Sequence, residues 1–220
     1  MKQIKKDDRI SVCIDVKNNI VFKNCCHAES WRAQRLQKEY DNLKKIHRLK
    51  LNSNIIFPQA LGFSKIKREL KMRYVHGRNL KDILDPGIYE AFGKELKKLH
   101  KTGITHGHLE LQDVLYSNKK FCLVDLARLN EVGPLRDYAR FKLSIHFHQM
   151  KNILNWSKYN KCSRAFTKGY CPDKETSQKY LDSELIKIVN RYFKKKGALR
   201  TIKGLIIRIA LKNKIKKYRR

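Results

Sequence analysis

The most constraining feature of this sequence is a pair of aspartates that a short hairpin would bring together. Residues 99–115 read LHKTGITHGHLELQDVL, and residues 123–127 read LVDLA. The pattern indicates a helix, a polar loop and two short strands joined by a tight turn. Asp113 then precedes the first strand and Asp125 follows the second, so their carboxylates lie at adjoining hairpin ends. Two such carboxylates can hold one Mg²⁺ ion and leave room for water and phosphate.

The rest of the pattern predicts strands and one helix, followed by a mainly helical half. The first part has predicted strands at 9–14 and 20–23, a helix at 29–49, a strand region from 55 and a strand at 70–75. After a turn at 85–87, the second part has a helix at 88–101, the hairpin, and helices from 135 onward with a break near 169–172. Apolar residues at three- and four-residue spacing predict one buried face for the helix at 29–49. This order of elements predicts an α+β fold.

The loop and hairpin resemble the catalytic segment of the protein-kinase superfamily. Residues 106–115, HGHLELQDVL, match its loop pattern H-[RG]-D-L-x-x-x-N-[IV]-L, and residues 123–127 match the position of its D-F-G motif. The resemblance implies an ATP-dependent phosphotransferase that uses Mg²⁺, with Asp113 and Asp125 as metal ligands. It also implies that His108 occupies the catalytic position, where the family residue orients the acceptor hydroxyl and accepts its proton.

The upstream half of the sequence agrees with this resemblance. Lys23 ends a predicted strand, as the nucleotide-phosphate lysine does, and Glu39 follows on the predicted helix. The resemblance implies that Lys23 and Glu39 come within ion-pair distance in the ATP site, with Glu29 as a rival partner for the lysine. Met72 and Tyr74 look like part of the hinge that joins two lobes and contacts ATP.

The implied architecture is a two-lobe protein-kinase-like fold with a reduced N-lobe and a mainly helical C-lobe. We expect one kinase-like domain over 1–220, with the N-lobe at 1–75, the C-lobe at 76–193 and a basic amphipathic helix at 194–220. This last stretch has no acidic residue, and its apolar residues have helical spacing. Two interpretations of it remain open, which are binding to an anionic membrane surface and packing against the C-lobe.

A further resemblance narrows the subgroup. The segment RDYARFKLSI, residues 136–145, is similar to a helix of the bacterial lipopolysaccharide core kinases, which phosphorylate Kdo or heptose. This implies that Arg136 and Arg140 bind the phosphates of the substrate, although pairing with Asp137 inside the fold is an equal alternative. A similar compact layout occurs in the Bud32-like and RIO-like atypical kinases, which therefore stay open as a second subgroup.

Three departures from the superfamily pattern bear on catalysis. His108 replaces the catalytic aspartate, and an imidazole can accept a proton but supplies no negative charge beside a metal. Asp113 replaces the metal-binding asparagine and keeps an oxygen ligand. No glycine lies between Met1 and Lys23, so the glycine-rich phosphate loop is absent. These departures leave open a pseudokinase that binds nucleotide or anionic lipid without turnover.

The charge of the chain predicts a polyanionic partner. Its 51 Lys and Arg against 20 Asp and Glu give a net charge of +31, which far exceeds what solubility requires. With the resemblance, the predicted partners are a lipopolysaccharide precursor or other anionic glycolipid and an anionic membrane surface. Nucleic acid is not expected, because the aromatic residues are not interleaved with the basic ones. The charged start and the lack of a long apolar run predict a cytoplasmic protein with reduced cysteines. The resemblance to the lipopolysaccharide core kinases implies that it lies peripherally on the inner face of the inner membrane.

Overall fold

The computed structural model describes residues 2–6, 10–25, 30–49, 51 and 53–194. The chain forms two units, of which the first ends at Pro172 and the second begins at Asp173. All the candidate site residues belong to the first unit. The predicted helix at 194–220 lies outside the described residues, except for Lys194 at its start.

An antiparallel sheet forms the N-terminal part of the first unit. Its strands are β1 (Lys2–Lys6), β2 (Ile10–Asp15), β3 (Ile20–Cys25), β5 (Ala60–Ser64) and β6 (Glu69–Arg73). They are arranged in the order β1-β2-β3-β6-β5. Lys23 lies opposite Val12 on one neighbouring strand and Leu70 on the other. The lysine therefore projects from the middle of the sheet, where strands on both sides fix its backbone.

Helix α1 (Ser30–His47) follows this sheet and buries one face. Leu36, Leu43 and Ile46, at three- and seven-residue steps, are each at most 2% exposed. Lys44 and Lys45 are exposed on the other side of the helix. The predicted helix and its buried apolar stripe are confirmed, because this periodicity leaves little choice of face.

The predicted aspartate hairpin forms the centre of a second, four-stranded sheet. Its strands are β4 (Ile55–Ile56), β7 (Arg78–Asn79), β8 (Val114–Ser117) and β9 (Lys120–Leu123), in the order β4-β9-β8-β7. Asn118 and Lys119 both have positive φ, as a two-residue hairpin turn requires. The N–H of Val124 donates to the carbonyl oxygen of Asp113 at 3.0 Å, so the two aspartate positions are joined through the backbone.

Helix α2 (Pro86–Lys101) begins two residues earlier than the sequence predicts. The carboxylate of Asp85 accepts the N–H of Gly87 at 2.7 Å, and Pro86 occupies the first helical position. The predicted turn at 85–87 is therefore the capped start of the helix. Proline suits the first helical position because it has no N–H, and an N–H at this position would have no partner within the helix.

Helices α3 (Pro134–Lys151) and α4 (Trp156–Tyr170) complete the first unit. Phe92 of α2, Phe141 of α3 and Phe166 of α4 pack together in the core, with ring centroids 4.6 to 6.0 Å apart. The predicted break near 169–172 is confirmed, since α4 ends at Tyr170 and the next helix begins at Lys174. Gly169, in the last turn of α4, allows close packing on α2, where a Cβ would lie 2.0 Å from the carbonyl oxygen of Glu90.

The second unit contains helix α5 (Lys174–Lys194). The carboxylate of Asp173 accepts the N–H of Thr176 at 2.7 Å, which satisfies one of the free donors at the start of the helix. None of the helices in the described ranges has the length and apolar character needed to cross a membrane. The cysteines within those ranges, including Cys25 and Cys122, are free thiols.

Candidate active site

Lys23 and Glu39 form a buried ion pair between β3 and α1. Lys23 Nζ lies 2.6 Å from Glu39 Oε1, and the side chains are 13% and 3% exposed. Burial alone would lower the pKa of Lys23, but the charges of Glu39 and then Asp125 outweigh it and raise the pKa above its usual value. The ammonium therefore stays charged at neutral pH. The predicted approach of these two residues is confirmed, and Glu29, the rival partner, lies outside the described residues.

Asp125 presents a carboxylate next to this pair. It follows β9 in the left-handed region with φ 65°, a conformation that aspartate tolerates better than most residues and that is common at functional sites. Its Oδ2 lies 3.4 Å from Arg35 Nη2, and its side chain is 42% exposed. Burial would raise the pKa of Asp125, but the charges of Lys23 and Arg35 lower it below its usual value. The carboxylate is therefore ionised and available for a cation.

Asp113 supplies the second predicted metal ligand from a more buried position. Its Oδ2 accepts the N–H of Glu110 at 2.9 Å, within the short 3₁₀ turn that precedes β8. Burial, then the charge of Asp125 and then that of Glu110 raise the pKa of Asp113 well above its usual value. The two predicted ligands are thus close enough to repel each other, as expected for their positions at adjoining hairpin ends.

This repulsion is the condition that a divalent cation relieves, so the donor set fits Mg²⁺. Asp113 and Asp125 would hold the ion, which would neutralise charge on a bound phosphate chain. In the described part of the chain, no cluster of three or more His, Cys, Asp or Glu residues is arranged to hold a metal. Two protein carboxylates suit Mg²⁺ in particular, because this ion keeps several water and phosphate ligands.

Asp137 of α3 holds the backbone of the loop that carries His108, a role that sequence analysis did not predict. It is fully buried, and its carboxylate accepts the N–H of His106 at 2.5 Å and that of Gly107 at 3.0 Å. His106 is 1% exposed, and its Nε2 lies 2.8 Å from the carbonyl oxygen of Val124, so its side chain has a structural role in the core. Gly107 has φ 86°, and a Cβ there would lie 1.8 Å from the carbonyl oxygen of Arg128. The loop is therefore fixed by α3 on one side and by the segment after β9 on the other.

His108 contacts Arg140 and Glu110. Arg140 Nη2 donates to His108 Nε2 and also lies 2.7 Å from Glu110 Oε1. Because a guanidinium can only donate, Nε2 must be the acceptor and Nδ1 must carry the ring proton. This Nδ1 lies 3.7 Å from Glu110 Oε1. The nitrogen of His108 that could accept a proton from a substrate is therefore already occupied.

The surroundings of His108 also make the imidazole a weak base. Burial, followed by the positive charge of Arg140, lowers the pKa of His108 to about 4, although the charge of Glu110 acts in the opposite direction. The ring is therefore neutral at neutral pH, and a general base works best when its pKa is near the working pH. The predicted catalytic residue and a predicted substrate-binding residue are brought together, but they bind each other.

The remaining predicted site residues occupy less specific positions. Met72 lies on β6 and is 3% exposed, so its side chain belongs to the hydrophobic core. Tyr74 follows β6, donates its N–H to the carbonyl oxygen of Asn19 at 2.8 Å and packs edge-on against His76. Arg136 is half-buried in the first turn of α3. Hinge contact with ATP and substrate binding stay predictions for these three residues.

Arg35 and Glu110 were missed by sequence analysis, although spacing could have found both. Arg35 precedes Glu39 by four residues, so both side chains lie on one face of α1. Asn42, one turn beyond Lys38 on this helix, donates to the carbonyl oxygen of Leu126 at 2.7 Å. These contacts attach α1 to the segment that begins at Asp125. Glu110 lies within the loop motif itself, two residues after His108.

Comparison with known proteins supports a kinase-like protein. No protein-family model matches the chain. A probable serine/threonine-protein kinase BUD32 homolog of Archaeoglobus fulgidus is 24% identical over 144 residues, which is 60% of this chain and 70% of that protein. The 3-deoxy-D-manno-octulosonic acid kinase of Vibrio parahaemolyticus is 23% identical over 160 residues, which is 65% of this chain and 63% of that enzyme. The chain spans only 22% of a probable bifunctional tRNA threonylcarbamoyladenosine biosynthesis protein of Methanosarcina mazei, with 27% identity over 129 residues, or 58% of this chain.

Solved structures define the class of the fold. The streptomycin–ATP–APH(2″)-IIa ternary complex matches with a TM-score of 0.64 at 11% identity, over 93% of this chain and 88% of that one. The chain thus has the predicted α+β, protein-kinase-like fold, with strands and one helix in its N-terminal part and mainly helices in the remainder. Together with the kinase-like relatives, this fold supports a phosphotransferase.

Proposed function

We propose that this chain is an ATP-dependent phosphotransferase that acts on a sugar hydroxyl of the lipopolysaccharide core, on Kdo or heptose. The buried Lys23–Glu39 pair at 2.6 Å beside the Asp113 and Asp125 carboxylates carries this proposal. A charged lysine held next to two carboxylates is the arrangement that binds the phosphates of a magnesium nucleotide. Lys23 contacts the phosphates, Glu39 orients Lys23, and the hinge at Met72 and Tyr74 holds the base.

In the proposed reaction, the oxygen of the acceptor hydroxyl attacks the γ-phosphorus of ATP. A bond forms between these atoms, the bond from the γ-phosphorus to the β–γ bridging oxygen breaks, and ADP leaves. His108 Nε2 takes the hydroxyl proton after Arg140 has turned to a phosphate of the substrate. Loss of the Arg140 contact would also raise the pKa of the ring, since the charge of Arg140 is one cause of its low value. Substrate binding and activation of the base are thus coupled through one guanidinium.

The acceptor is inferred from the helix that carries Arg136 and Arg140 and from the net charge of +31. The printed activity of the Vibrio relative, a 3-deoxy-D-manno-octulosonic acid kinase, supports the same substrate class. Lipopolysaccharide precursors carry phosphates at a membrane surface, which accounts for the basic composition. The proposed location is the inner face of the inner membrane, where the chain binds peripherally to anionic glycolipid.

The contact between Arg140 and His108 favours a second candidate, a nucleotide-binding pseudokinase. If Arg140 never leaves His108, the Nε2 atom of His108 cannot accept a proton or position a hydroxyl. In that case the chain binds ATP through the same residues and transfers no phosphate. A third class of acceptor is a protein hydroxyl, because the archaeal relative is a probable serine/threonine-protein kinase.

The deciding experiment measures Mg²⁺-dependent ATP binding and the transfer of labelled γ-phosphate to purified core oligosaccharide. Asp125→Asn should abolish the effect of Mg²⁺ on ATP binding, because it removes an ionised ligand. Glu131→Gln, six residues further on, removes an exposed carboxylate that pairs with Lys38 and serves as the matched control. Transfer to oligosaccharide supports the proposal. Transfer to protein alone would mean that the acceptor is a protein hydroxyl and not a sugar. Binding without transfer establishes the pseudokinase, and absence of ATP binding overturns both.

A further inference from the structure

The sequence up to Lys23 contains no glycine and therefore no glycine-rich loop of the kind that usually holds nucleotide phosphates. The segment between β1 and β2 reads DDR and contains two acidic residues and no glycine. In the turn between β2 and β3, the N–H of Asn18 donates to the carboxylate of Asp15 at 3.2 Å, and that of Asn19 donates to Val16 at 3.3 Å. Neither of these two N–H groups is free to bind phosphate. If the site binds ATP, donors other than these two N–H groups must contact the terminal phosphates.

Arg35 is placed to supply these donors. Its guanidinium lies 3.4 Å from Asp125 Oδ2, next to a proposed Mg²⁺ ligand, and its side chain is 37% exposed. It projects from the same face of α1 as Glu39, which reaches Lys23. Helix α1 therefore places the guanidinium of Arg35 and the carboxylate of Glu39, which contacts Lys23, in the same region of the site. A planar guanidinium binds phosphate oxygens through two parallel hydrogen bonds, which a lysine does not.

The present partner of Arg35 is only weakly bound. An ion pair of 3.4 Å between side chains that are 37% and 42% exposed has modest stability, because water screens both charges. Lys23 and Glu39 are nearly enclosed and 2.6 Å apart, so they have no such freedom. The Asp125 carboxylate cannot hold a cation and keep Arg35 in the same way, since both need its oxygens.

We propose that Arg35 is a phosphate-binding residue that replaces the missing glycine-rich loop. Asp125 holds the guanidinium in place while no nucleotide is bound. When Asp125 turns to Mg²⁺, it releases Arg35, which then binds the terminal phosphates of the nucleotide. This inference rests on the proposed function, because it requires ATP in the same site.

The test is calorimetric titration of the full chain with ATP, with and without Mg²⁺, and with adenosine. Arg35→Ala should weaken binding of ATP in the presence of Mg²⁺ by at least about tenfold, as expected for one lost charge-assisted contact. Arg35→Lys should show an intermediate loss, because it keeps the charge and loses the fork. Without Mg²⁺ the loss should stay below about threefold, since Arg35 then remains on Asp125. Adenosine affinity should not change, because adenosine has no phosphate.

Lys45→Ala is the matched control, because it removes one positive charge from the exposed side of the same helix. It should leave all three affinities unchanged. If wild type binds ATP and Arg35→Ala binds it equally well in the presence of Mg²⁺, Arg35 has no phosphate role and the proposed function survives. An equal loss of ATP and adenosine affinity would show a purely structural role and would also overturn the inference. If wild type binds neither ligand, the proposed function fails and this inference fails with it.

Discussion

The two sides of the candidate site differ in how closely they follow the kinase pattern. On the nucleotide side, Lys23 and Glu39 form a buried pair at 2.6 Å, and Asp125 lies next to them as an ionised carboxylate. On the proposed acceptor side, His108 stands where the loop pattern has an aspartate, and it is bound by Arg140. The comparison teaches that a chain can keep the lysine, glutamate and aspartate arrangement of the kinase pattern while it changes the residue at the catalytic position of that pattern.

The two sides also solve the problem of buried charge differently. Lys23 keeps its charge under burial because the carboxylates of Glu39 and Asp125 surround it. His108 is instead neutral, because burial and a neighbouring cation both disfavour the imidazolium. A charged pair and a neutral ring respond differently to mutation and to pH, so stability measurements can separate the two sides.

The largest expected effect is the loss of stability when the buried pair is broken. Lys23→Ala leaves Glu39 as an unpaired carboxylate that is 3% exposed, so the free energy of unfolding should fall by ~3–5 kcal/mol. Lys38→Ala, next to Glu39 on α1, breaks the Lys38–Glu131 pair, whose side chains are 53% and 38% exposed, and should cost under ~1 kcal/mol. Urea unfolding of the two variants gives both values. Equal losses of unfolding free energy would mean that the buried Lys23–Glu39 pair contributes no more to stability than an exposed ion pair.

The second effect is a dependence of stability on pH that comes from His108. In the unfolded chain its pKa is about 6.5, and in the folded chain it is about 4, so the unfolded chain binds more protons between these values. The free energy of unfolding should therefore fall as the pH drops through this window, by ~2 kcal/mol after allowance for partial exposure of the ring. Urea unfolding across the window measures this slope.

His108→Asn is the control for this pH dependence, because the other titrating groups are kept and only the imidazole is lost. Its stability should vary less with pH than that of wild type over the same window. Parallel curves for the two proteins would show that His108 titrates as in a free peptide, and the acceptor side would then be open to solvent.

The smallest expected effect is on phosphate transfer. His108→Asp restores a carboxylate that accepts the contact of Arg140 and keeps a free oxygen for the acceptor hydroxyl. Transfer should therefore rise by about tenfold, a modest part of what acid–base catalysis supplies. His108→Asn, which adds no carboxylate, should give no gain. A fall in transfer with His108→Asp would show an acceptor side adapted to histidine, and the difference between the two sides would then be functional.

The sequence was most informative where a local pattern determines the structure. The period of α1 predicted the burial of Leu36 and Leu43, and the residues around Asn118 predicted the hairpin. The prediction failed where one local pattern is compatible with two structures, since Pro86 and Gly87 favour a turn and also the start of a capped helix. Strand β1 was missed because its lysine-rich sequence carries little alternation of apolar residues.

The site was predictable only in the parts that a motif or a spacing specifies. Asp113, Asp125 and the Lys23–Glu39 approach followed from the order of the motifs. The contact of Arg140 with His108 joins residues 32 positions apart and depends on how α3 is rotated against the loop. No local pattern specifies that rotation, and the same is true of the hydrogen bonds that Asp137 makes to His106.

Gly107 limits how this sequence can drift over evolutionary time. Any other residue would need a left-handed backbone and would place a carbon 1.8 Å from the carbonyl oxygen of Arg128. Gly103 has a similar φ of 80° but open space around it, so a saturation library should retain asparagine there and only glycine at 107. The neighbours of Gly107 are not bound by this limit. Replacement of the aspartate by His108 is thus the kind of change that a fixed backbone permits, because it alters the chemistry of the loop and leaves its path intact.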